Sequence, residues 1–436
     1  MLDHHSAKRK VTLIRAARLP PRGRLSSPKQ NCTHENAARR PVGRSRTLTP
    51  VSQKLTPSVL HAQAVHKVHA IKAMMLRLGL QASFLARKAR WTTSCDEGGD
   101  GDHSLEAVVG NTPLIYLKAL SEATGRKIYG KAEYTNPSGS VKDRAAKQLI
   151  VEAEQRGLLK PGGTIIEGTG GNTGVALAAL GASKGYKVIL CMPLIIAKEK
   201  VELAERYGAK VLLQPLVPYA HPENYARKAE ALGKTTPNAI HTNQFENLAN
   251  FRAHFSGTGP EIWKQTNGQI DAFVAAAGTG GTLAGVSTFL KHASGERVKA
   301  FLIDPAGSAL FNFVESGRLV AEGSSEIEGI GIGRITANFA RGEIDGALRG
   351  SDTEAVNMAY YLMRHEGLCL GPSAALNVVG AVKVARKLPK GSTVVTILCD
   401  SGERYVSKIY NEAWLEKHNL TPGDVSDRSS LDFIGK

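Results

Sequence analysis

Residues 163–193 read GTIIEGTGGNTGVALAALGASKGYKVILCMP, and the order of residue types in this stretch decides the fold class. Its two ends, GTIIEGT and KVILCMP, are short runs of apolar and β-branched residues, which predict strands. Between them, the glycine-rich TGGNTG leads into the apolar helical run VALAAL. A strand, a turn, a helix and a second strand make a βαβ unit, whose two strands run parallel.

The same alternation continues on both sides of this unit. Further strands are predicted at KIYGKAEY, AKVLLQP, DAFVAAAG, VKAFLID and STVVTILCD, and long helices at AKEKVELAERYG and TEAVNMAYYLMRHEG. The sequence therefore predicts an α/β fold with parallel sheets flanked by helices. A body of this size is expected to divide into two lobes, with the ligand in the cleft at the carboxyl ends of the strands.

The net charge of +17 lies entirely in the first part of the chain. Residues 1–94 hold 19 Lys or Arg and two acids, whereas residues 95–436 hold 37 basic and 37 acidic residues. A neutral body argues against binding of nucleic acid. The five cysteines include no close pair of the kind found in zinc sites, so no metal is predicted. The sequence contains no run of about 18 apolar residues, so no transmembrane helix is predicted.

Residues 1–94 are predicted to be a basic, disordered extension that includes a mitochondrial transit peptide. The segment from Met75, MLRLGLQASFLARKARWTTS, is rich in Arg, Leu, Ala and Ser and contains no acid. This composition predicts translation from Met74 or Met75, removal up to about Trp91–Cys95 and action in the mitochondrial matrix. A basic tail on a cytoplasmic protein is the alternative.

A lysine stands at a predicted helix start in NPSGSVKDRAAKQLI. Ser140 and Asp143 have the spacing of a capping box, which predicts a helix that begins near Val141. Lys142 then lies in the first turn, where free amide N–H groups and the helix dipole destabilise an ammonium by roughly 0.3–1 kcal/mol. This position favours the neutral amine, which is the form that condenses with an aldehyde.

Two glycine-rich loops follow predicted strands and open predicted helices. In AAAGTGGTLAGV, residues 278–282 turn backbone N–H groups and a helix start toward an anion, which predicts a phosphate site. A tight packing turn is the alternative. In EGTGGNTGVALAAL, residues 169–174 make the same transition and predict a cradle for a small carboxylate, although Asn172 is also a favoured N-cap.

Ser373 in LGPSAALN is predicted to be an N-cap whose hydroxyl can still donate to a ligand nitrogen. A lysine at a helix start, a phosphate loop and a carboxylate cradle together suit a cofactor that carries both a phosphate and an aldehyde. We therefore predict that pyridoxal 5'-phosphate is the cofactor and that Lys142 is its covalent partner.

From about Val108 to Tyr410 the chain resembles the cysteine synthases (O-acetylserine sulfhydrylases), which are related to cystathionine β-synthase and tryptophan synthase β. Eight motifs stand in the family's order: VGNTPLIYL, NPSGSVKDR, GTGGNTG, NQFENLAN, TGPEIW, GTGGTLAGV, EGIGIGRI and SGERYVSK. The resemblance implies the tryptophan synthase β-like fold, which is fold type II of pyridoxal-phosphate enzymes. The predicted parts are a larger cofactor-binding lobe of residues 105–135 and 246–410, a smaller, mobile substrate lobe of residues 136–245, and a C-terminal tail of residues 411–436.

The resemblance also implies roles for individual residues. Lys142 matches the Schiff-base lysine, Asn172 the asparagine that binds the ring hydroxyl of the cofactor, and Ser373 the serine beside the pyridine nitrogen. The residues that match the phosphate loop are Gly278, Thr279, Gly280, Gly281 and Thr282. The residues that match the site of the substrate carboxylate are Thr169, Gly170, Gly171, Thr173 and Gln244.

The implied reaction is the synthesis of L-cysteine from O-acetyl-L-serine and sulfide. In this family Lys142 would take the α-proton, acetate would leave, and sulfide would add to an aminoacrylate. A neutral serine beside the pyridine favours replacement at the β-carbon over transamination. Two alternatives stay open: a cystathionine β-synthase-type reaction of serine with homocysteine, and a catalytically weak homologue that acts as a binding subunit. The family further implies a homodimer and a complex with serine acetyltransferase.

The chain departs from the family pattern near the predicted substrate site. Gly170 stands where Ser or Ala is usual, and Pro372 and Ala375 flank Ser373. Residues 194–196 are Leu-Ile-Ile where a more polar run is usual at the mouth of the site. Because the cofactor residues are kept, these differences bear on substrate affinity more than on cofactor binding.

Overall fold

The computed structural model describes residues 104–435, which contain ten strands in two sheets. The strands are β1 (Leu114–Tyr116), β2 (Lys127–Ala132), β3 (Thr164–Gly168), β4 (Lys187–Pro193), β5 (Lys210–Gln214), β6 (Ala239–His241), β7 (Ala272–Ala275), β8 (Lys299–Pro305), β9 (Gly346–Gly350) and β10 (Thr393–Leu398). Every strand predicted from the sequence is confirmed. The sequence did not reveal β1, β6 and β9, because three residues show no period and β9 begins and ends with glycine.

Helices alternate with these strands along the chain. They are α1 (Lys118–Thr124), α2 (Lys142–Gln155), α3 (Asn172–Ser183), α4 (Lys198–Arg206), α5 (Tyr225–Thr235), α6 (Ala249–Ala253), α7 (Gly259–Gln265), α8 (Gly281–Ser294), α9 (Leu310–Ser316), α10 (Asp352–His365), α11 (Pro372–Lys387) and α12 (Glu412–Lys417). The two long helices predicted from the sequence correspond to α4 and α10. A π-helical turn at His254–Thr258 joins α6 to α7.

Both sheets are built from parallel neighbours. The larger sheet has the order β1-β2-β10-β7-β8-β9 and the smaller one β5-β4-β3-β6. Every neighbouring pair is parallel except β1 with β2. In the smaller sheet, β3 runs through a glycine-rich loop into α3, and in the larger sheet β7 does the same before α8. Ligands commonly bind at such carboxyl edges.

Side chains on the two faces of the larger sheet pack into two different hydrophobic cores. Val274 of β7 and Val394 of β10 pack on the side of α10 and α11. Phe273 and Val395, their neighbours in sequence, pack on the other side with Leu290 of α8. Because successive residues of a strand point to opposite faces, the apolar runs of a sheet covered on both faces are nearly continuous.

The smaller sheet is covered in the same way. Ile165 and Leu190 pack on the side of α2 and α3. Ile166 and Cys191 pack on the opposite side, together with Ala229 of α5. This packing fixes the carboxyl end of β3, from which the loop at residues 169–171 leads into α3.

Helix α2 begins at Lys142, within one residue of the predicted start, but the predicted capping box is wrong. The carboxylate of Asp143 accepts a hydrogen bond from the backbone N–H of Ser138 at 2.6 Å and another from the Ser138 hydroxyl. A turn closed by the N–H of Gly139 and the carbonyl of Asn136 brings Ser138 over the helix start. Asp143 therefore binds the preceding turn instead of the N–H of its own cap residue.

The predicted α/β fold is confirmed, and the boundaries of the two lobes remain predictions. Residues 411–435, predicted to be a tail, include α12 and bury Leu420 and Ile434 in the larger sheet's core. The predicted transit peptide lies outside the described residues. Between residues 104 and 435, no helix is both long and apolar enough to cross a lipid bilayer.

Candidate active site

A cavity of about 190 Å³ lies where the glycine-rich loops after β3 and β7 meet the starts of α2 and α11. Its lining includes every site residue predicted from the sequence except Gly281. These are Lys142, Thr169, Gly170, Gly171, Asn172, Thr173, Gln244, Gly278, Thr279, Gly280, Thr282 and Ser373. Segments more than 200 residues apart in the chain thus form one site.

Lys142 is the first residue of α2 and is partly buried in this cavity. Burial lowers the pKa of Lys142 below its ordinary value, and the nearby cation of Lys200 acts in the same direction. The negative charge of Asp400 opposes this shift. Removal from water therefore favours the neutral amine that the sequence predicts, in addition to the helix dipole.

The loop after β3 and the residue Gln244 form one hydrogen-bonded unit. The Thr173 hydroxyl donates to Oε1 of Gln244 at 2.5 Å, and Nε2 of Gln244 donates to the carbonyl of Gly168 at 2.9 Å. At the tip of the loop, Gly171 has φ +130°, and a Cβ there would lie 2.5 Å from Cδ of Lys200. Only glycine suits this backbone conformation beside Lys200.

Asn172 is the first residue of α3, and Gly171 occupies the N-cap position, so the alternative that Asn172 caps the helix is wrong. Instead, Nδ2 of Asn172 donates to Oδ2 of Asp400 at 2.6 Å, and its Oδ1 accepts from Arg404 at 2.7 Å. These two bonds fix which end of the amide faces each partner, because a carboxylate only accepts and a guanidinium only donates.

The loop of residues 278–282 leads into α8, a helix of 14 residues. Its N-cap is Gly280, with φ +84°, so no side chain caps the first N–H groups. Asn250 donates to the hydroxyl of Thr279 at 2.9 Å, which holds the loop in place. The exception among the predicted residues is Gly281, whose backbone packs against Asn250: a Cβ there would lie 2.1 Å from Oδ1 of Asn250.

Ser373 is the second residue of α11, after Pro372, and the N-cap is Gly371. The prediction that Ser373 caps the helix is therefore wrong. Its buried hydroxyl is hydrogen-bonded to the thiol of Cys399. Burial raises the pKa of Cys399 to about 12, so the group beside Ser373 is a neutral thiol near pH 7.

Several residues near the cavity were not assigned a role from the sequence. Lys200 of α4 is 1% exposed, and its amine lies 2.5 Å from Oε2 of Glu328 and 3.0 Å from the hydroxyl of Tyr405. Glu328 and Tyr405 stand in the quoted motifs EGIGIGRI and SGERYVSK, which could have directed attention to them. Lys200 carries no such signal, because it lies in a helix whose sequence looks polar and solvent-exposed.

The residues present suit pyridoxal phosphate. Lys142 supplies an amine with a lowered pKa, and Gly280 leaves a helix start without a side-chain cap, as an anion site requires. The Asn172 amide is fixed at the head of α3, and the hydroxyl of Ser373 lies on the same cavity. The cavity thus combines an amine, an anion cradle and neutral hydrogen-bonding groups.

Comparisons with known proteins agree with this arrangement. A family model described as "Pyridoxal-phosphate dependent enzyme" matches residues 105–400. "Cysteine synthase" of Dictyostelium discoideum is 50% identical over 336 residues, 75% of this chain and 88% of that protein. "Putative mitochondrial cysteine synthase" of Saccharomyces cerevisiae is 40% identical over 369 residues, 80% of this chain and 93% of that protein.

A solved structure extends the comparison. The crystal structure of the O-acetylserine-dependent cystathionine β-synthase of Helicobacter pylori superposes with a TM-score of 0.65 at 33% sequence identity. The match covers 72% of this chain and 100% of that one. The chain therefore belongs to the family of pyridoxal-phosphate-dependent enzymes, among the cysteine synthases.

Proposed function

We propose that this enzyme makes L-cysteine from O-acetyl-L-serine and sulfide. The observation that carries the proposal is the single cavity in which the Lys142 amine, the Ser373 hydroxyl and the loop of residues 169–173 meet. Replacement at Cβ needs a base near Cα and a site that fixes the substrate carboxylate. It also needs a cofactor whose ring nitrogen faces a neutral group.

Pyridoxal phosphate supplies an aldehyde that binds amines and an electron sink. Lys142 would hold the aldehyde, Asn172 the ring hydroxyl and Ser373 the ring nitrogen. The phosphate would lie against the backbone N–H groups of residues 278–282, at the start of α8.

Lys142 is also the proposed base. Burial lowers its pKa and so favours the neutral amine, which can accept the proton from Cα and later return it. The Cβ–O bond of the substrate breaks with its electron pair going to acetate, and a lone pair of sulfide forms the new S–Cβ bond. The neutral thiol of Cys399 beside Ser373 supports a site that does not hold the ring nitrogen protonated.

Thr169, Gly170, Gly171, Thr173 and Gln244 are proposed to bind the substrate carboxylate. The hydrogen bond between Thr173 and Gln244 joins the two segments that carry these residues. A bound carboxylate would be held with Cα toward Lys142, which lines the same cavity.

The experiment is a substrate matrix on purified holoenzyme. O-acetylserine, O-phosphoserine and serine are each supplied with sulfide, and cysteine is quantified. Cysteine formation that is fastest with O-acetylserine supports the proposal. A protein that binds the cofactor but forms cysteine from none of these donors would instead be a binding subunit.

A second candidate is the use of homocysteine as the acceptor. The Helicobacter pylori structure belongs to a protein named as an O-acetylserine-dependent cystathionine β-synthase, and it is 33% identical to this chain. Adding homocysteine in place of sulfide and measuring cystathionine separates the two reactions.

We further propose that the enzyme is a homodimer that can bind serine acetyltransferase, as the family resemblance implies. Light scattering of the purified protein, with and without the acetyltransferase, tests both statements. A monomeric mass of the purified protein would contradict the homodimer. A mixture in which no heavier species forms would contradict the complex with the acetyltransferase.

Mitochondrial import is proposed from the acid-free, Arg-rich composition that starts at Met75. A fluorescent fusion that begins at Met75 is expected in mitochondria, and the same fusion with Arg77, Arg87 and Arg90 changed to Glu is expected in the cytosol. A Met75 fusion found in the cytosol would leave the cytoplasmic alternative.

A further inference from the structure

A buried carboxyl group lies directly before the loop at residues 169–173, and the chemistry proposed above does not use it. Glu167 of β3 is 1% exposed. Its Oε1 accepts the backbone N–H of Gly168 at 3.0 Å. Its Oε2 accepts the backbone N–H of Gln244 at 3.1 Å and the hydroxyl of Thr242 at 2.6 Å. One side chain therefore binds both segments that carry the proposed carboxylate contacts.

The hydrogen bonds continue from these segments into the cavity. Gln244 uses Nε2 to bind the carbonyl of Gly168 and uses Oε1 to accept the hydroxyl of Thr173. Both ends of this amide thus have fixed partners, and its position depends on where the backbone at residue 244 lies. Glu167 sets that position through the N–H of Gln244.

We propose that Glu167, as a carboxylate, is a positioning residue that holds the loop after β3 and Gln244 in the arrangement that binds the substrate carboxylate. This inference deepens the proposed cysteine synthase reaction and rests on it. Glu167 does not line the cavity, so it acts through Gly168, Thr242 and Gln244.

The ionisation of Glu167 makes this support dependent on pH. Burial raises the pKa of Glu167 to about 7, while hydrogen bonds from Thr242, Gln244 and Gly168 act in the opposite direction. A carboxylate accepts all three bonds, whereas the protonated acid has fewer accepting positions, because its proton occupies one of them. The loop is therefore held fully above about pH 7 and less well below it.

The titratable side chains that interact directly with Glu167 are a thiol and a phenol, and neither changes its charge near pH 7. Cys191 on β4 and Tyr225 at the start of α5 both interact electrostatically with it. Burial raises the pKa of both, to about 11 for Cys191, so both are neutral near pH 7. His241 on β6 has a pKa lowered by burial and interacts with Glu230 on α5.

The test is the substitution Glu167→Gln in the holoenzyme. Glutamine has the same shape but offers one acceptor and one NH₂ donor, so at least one of the three bonds is lost at every pH. We expect KM for O-acetylserine to rise about tenfold at pH 8, which corresponds to about 1.4 kcal/mol of binding free energy. The value of kcat is expected to change less than about threefold. The ratio of mutant to wild-type KM is expected to fall toward one as pH drops from 8 to 6.

The matched control is Glu366→Gln. Glu366 accepts the backbone N–H groups of Lys118 and Leu120, and burial raises its pKa too, but it lies outside the cavity. This variant should keep the wild-type KM and its pH profile. If Glu167→Gln shares that behaviour, the positioning role is refuted.

A second readout separates this inference from the reaction itself. Hydrogen–deuterium exchange at the amides of Gly168 and Gln244, measured without substrate, should be faster in Glu167→Gln than in wild type and in Glu366→Gln. Unchanged exchange at both amides overturns the inference, whatever the enzyme's activity. If wild type fails to convert O-acetylserine while exchange rises as expected, the proposed reaction fails and the positioning of the loop stands.

Discussion

The amine of Lys200 and the carboxylate of Glu328 form a buried ion pair at 2.5 Å beside the active-site cavity. Lys200 is also hydrogen-bonded to Tyr405 and lies over its ring, with 4.2 Å between the amine and the ring centroid. The pair joins α4, which follows a strand of the smaller sheet, to the loop before Gly329, which borders the cavity next to the larger sheet. It therefore ties together the two sides of the site.

Lys200→Met should destabilise the holoenzyme measurably. Removing one partner of a buried ion pair costs about 3–5 kcal/mol when the other charge is left without a partner. We expect a loss of about 3 kcal/mol, at the low end of this range, because Lys408 still pairs with Glu328. Urea unfolding followed by fluorescence measures the loss. The control is Lys234→Met, which breaks an exposed ion pair with Glu230 and should cost at most about 1 kcal/mol. Equal losses in the two variants would show that the buried pair adds nothing.

Lys142→Ala should abolish cysteine synthesis and leave the fold intact. The partly buried side chain contributes little packing, whereas the proposed chemistry depends on its amine. Turnover, the absorbance of bound cofactor and circular dichroism test the prediction together. Turnover close to that of wild type would refute the assignment of Lys142.

Ser373→Ala should retain the cofactor but impair catalysis, and Ser373→Asp should shift the chemistry toward reactions that need a protonated pyridine. Because Gly371 is the N-cap, the alanine variant should lose little helix stability. Cofactor content, kcat and thermal unfolding separate these effects. A loss of about 1 kcal/mol of stability with unchanged kcat would indicate a structural role alone.

The stability of the Asp304→Asn variant, compared with that of wild type, should increase as pH rises from about 4 to 6. Burial raises the pKa of Asp304 to about 6, and its Oδ1 has no hydrogen-bond partner within residues 104–435. A raised carboxyl pKa means that the folded state loses stability between the unfolded pKa and about pH 6. The loss is about 3 kcal/mol, as about two pKa units imply. The stability of mutant minus wild type should rise from pH 4 to 6 and then stay level.

Glu261→Gln is a control variant for which the opposite dependence of stability on pH is expected. Arg144 and Lys131 hold the pKa of Glu261 down at about 2 despite its burial, so this carboxylate stabilises the fold at neutral pH. The variant should be less stable than wild type at pH 7, and the difference should shrink as pH falls below about 4. A pH-independent difference in either variant would contradict the corresponding pKa shift.

The sequence by itself determined the fold class and most of the site. Short, nearly continuous apolar runs and the helical stretches between them predict the βαβ order, because a parallel sheet covered on both faces requires such runs. The glycine-rich loops after β3 and β7, and Lys142 at the start of α2, were identified because phosphate and carboxylate sites use backbone N–H groups at helix starts. The sequence did not predict the short strands β1, β6 and β9, because three to five residues are too few to show a hydrophobic pattern.

Only the tertiary structure decided how polar side chains are paired. Asp143 binds Ser138 instead of completing a capping box, and Gly371 caps α11 in place of Ser373. Glu167 and Lys200 look in the sequence like ordinary strand and helix residues. Their roles arise because chain folding buries them beside partners that are distant in sequence, and burial then sets both their hydrogen bonding and the pKa of Glu167. No local pattern encodes such contacts, since each depends on which segments the sheets bring together.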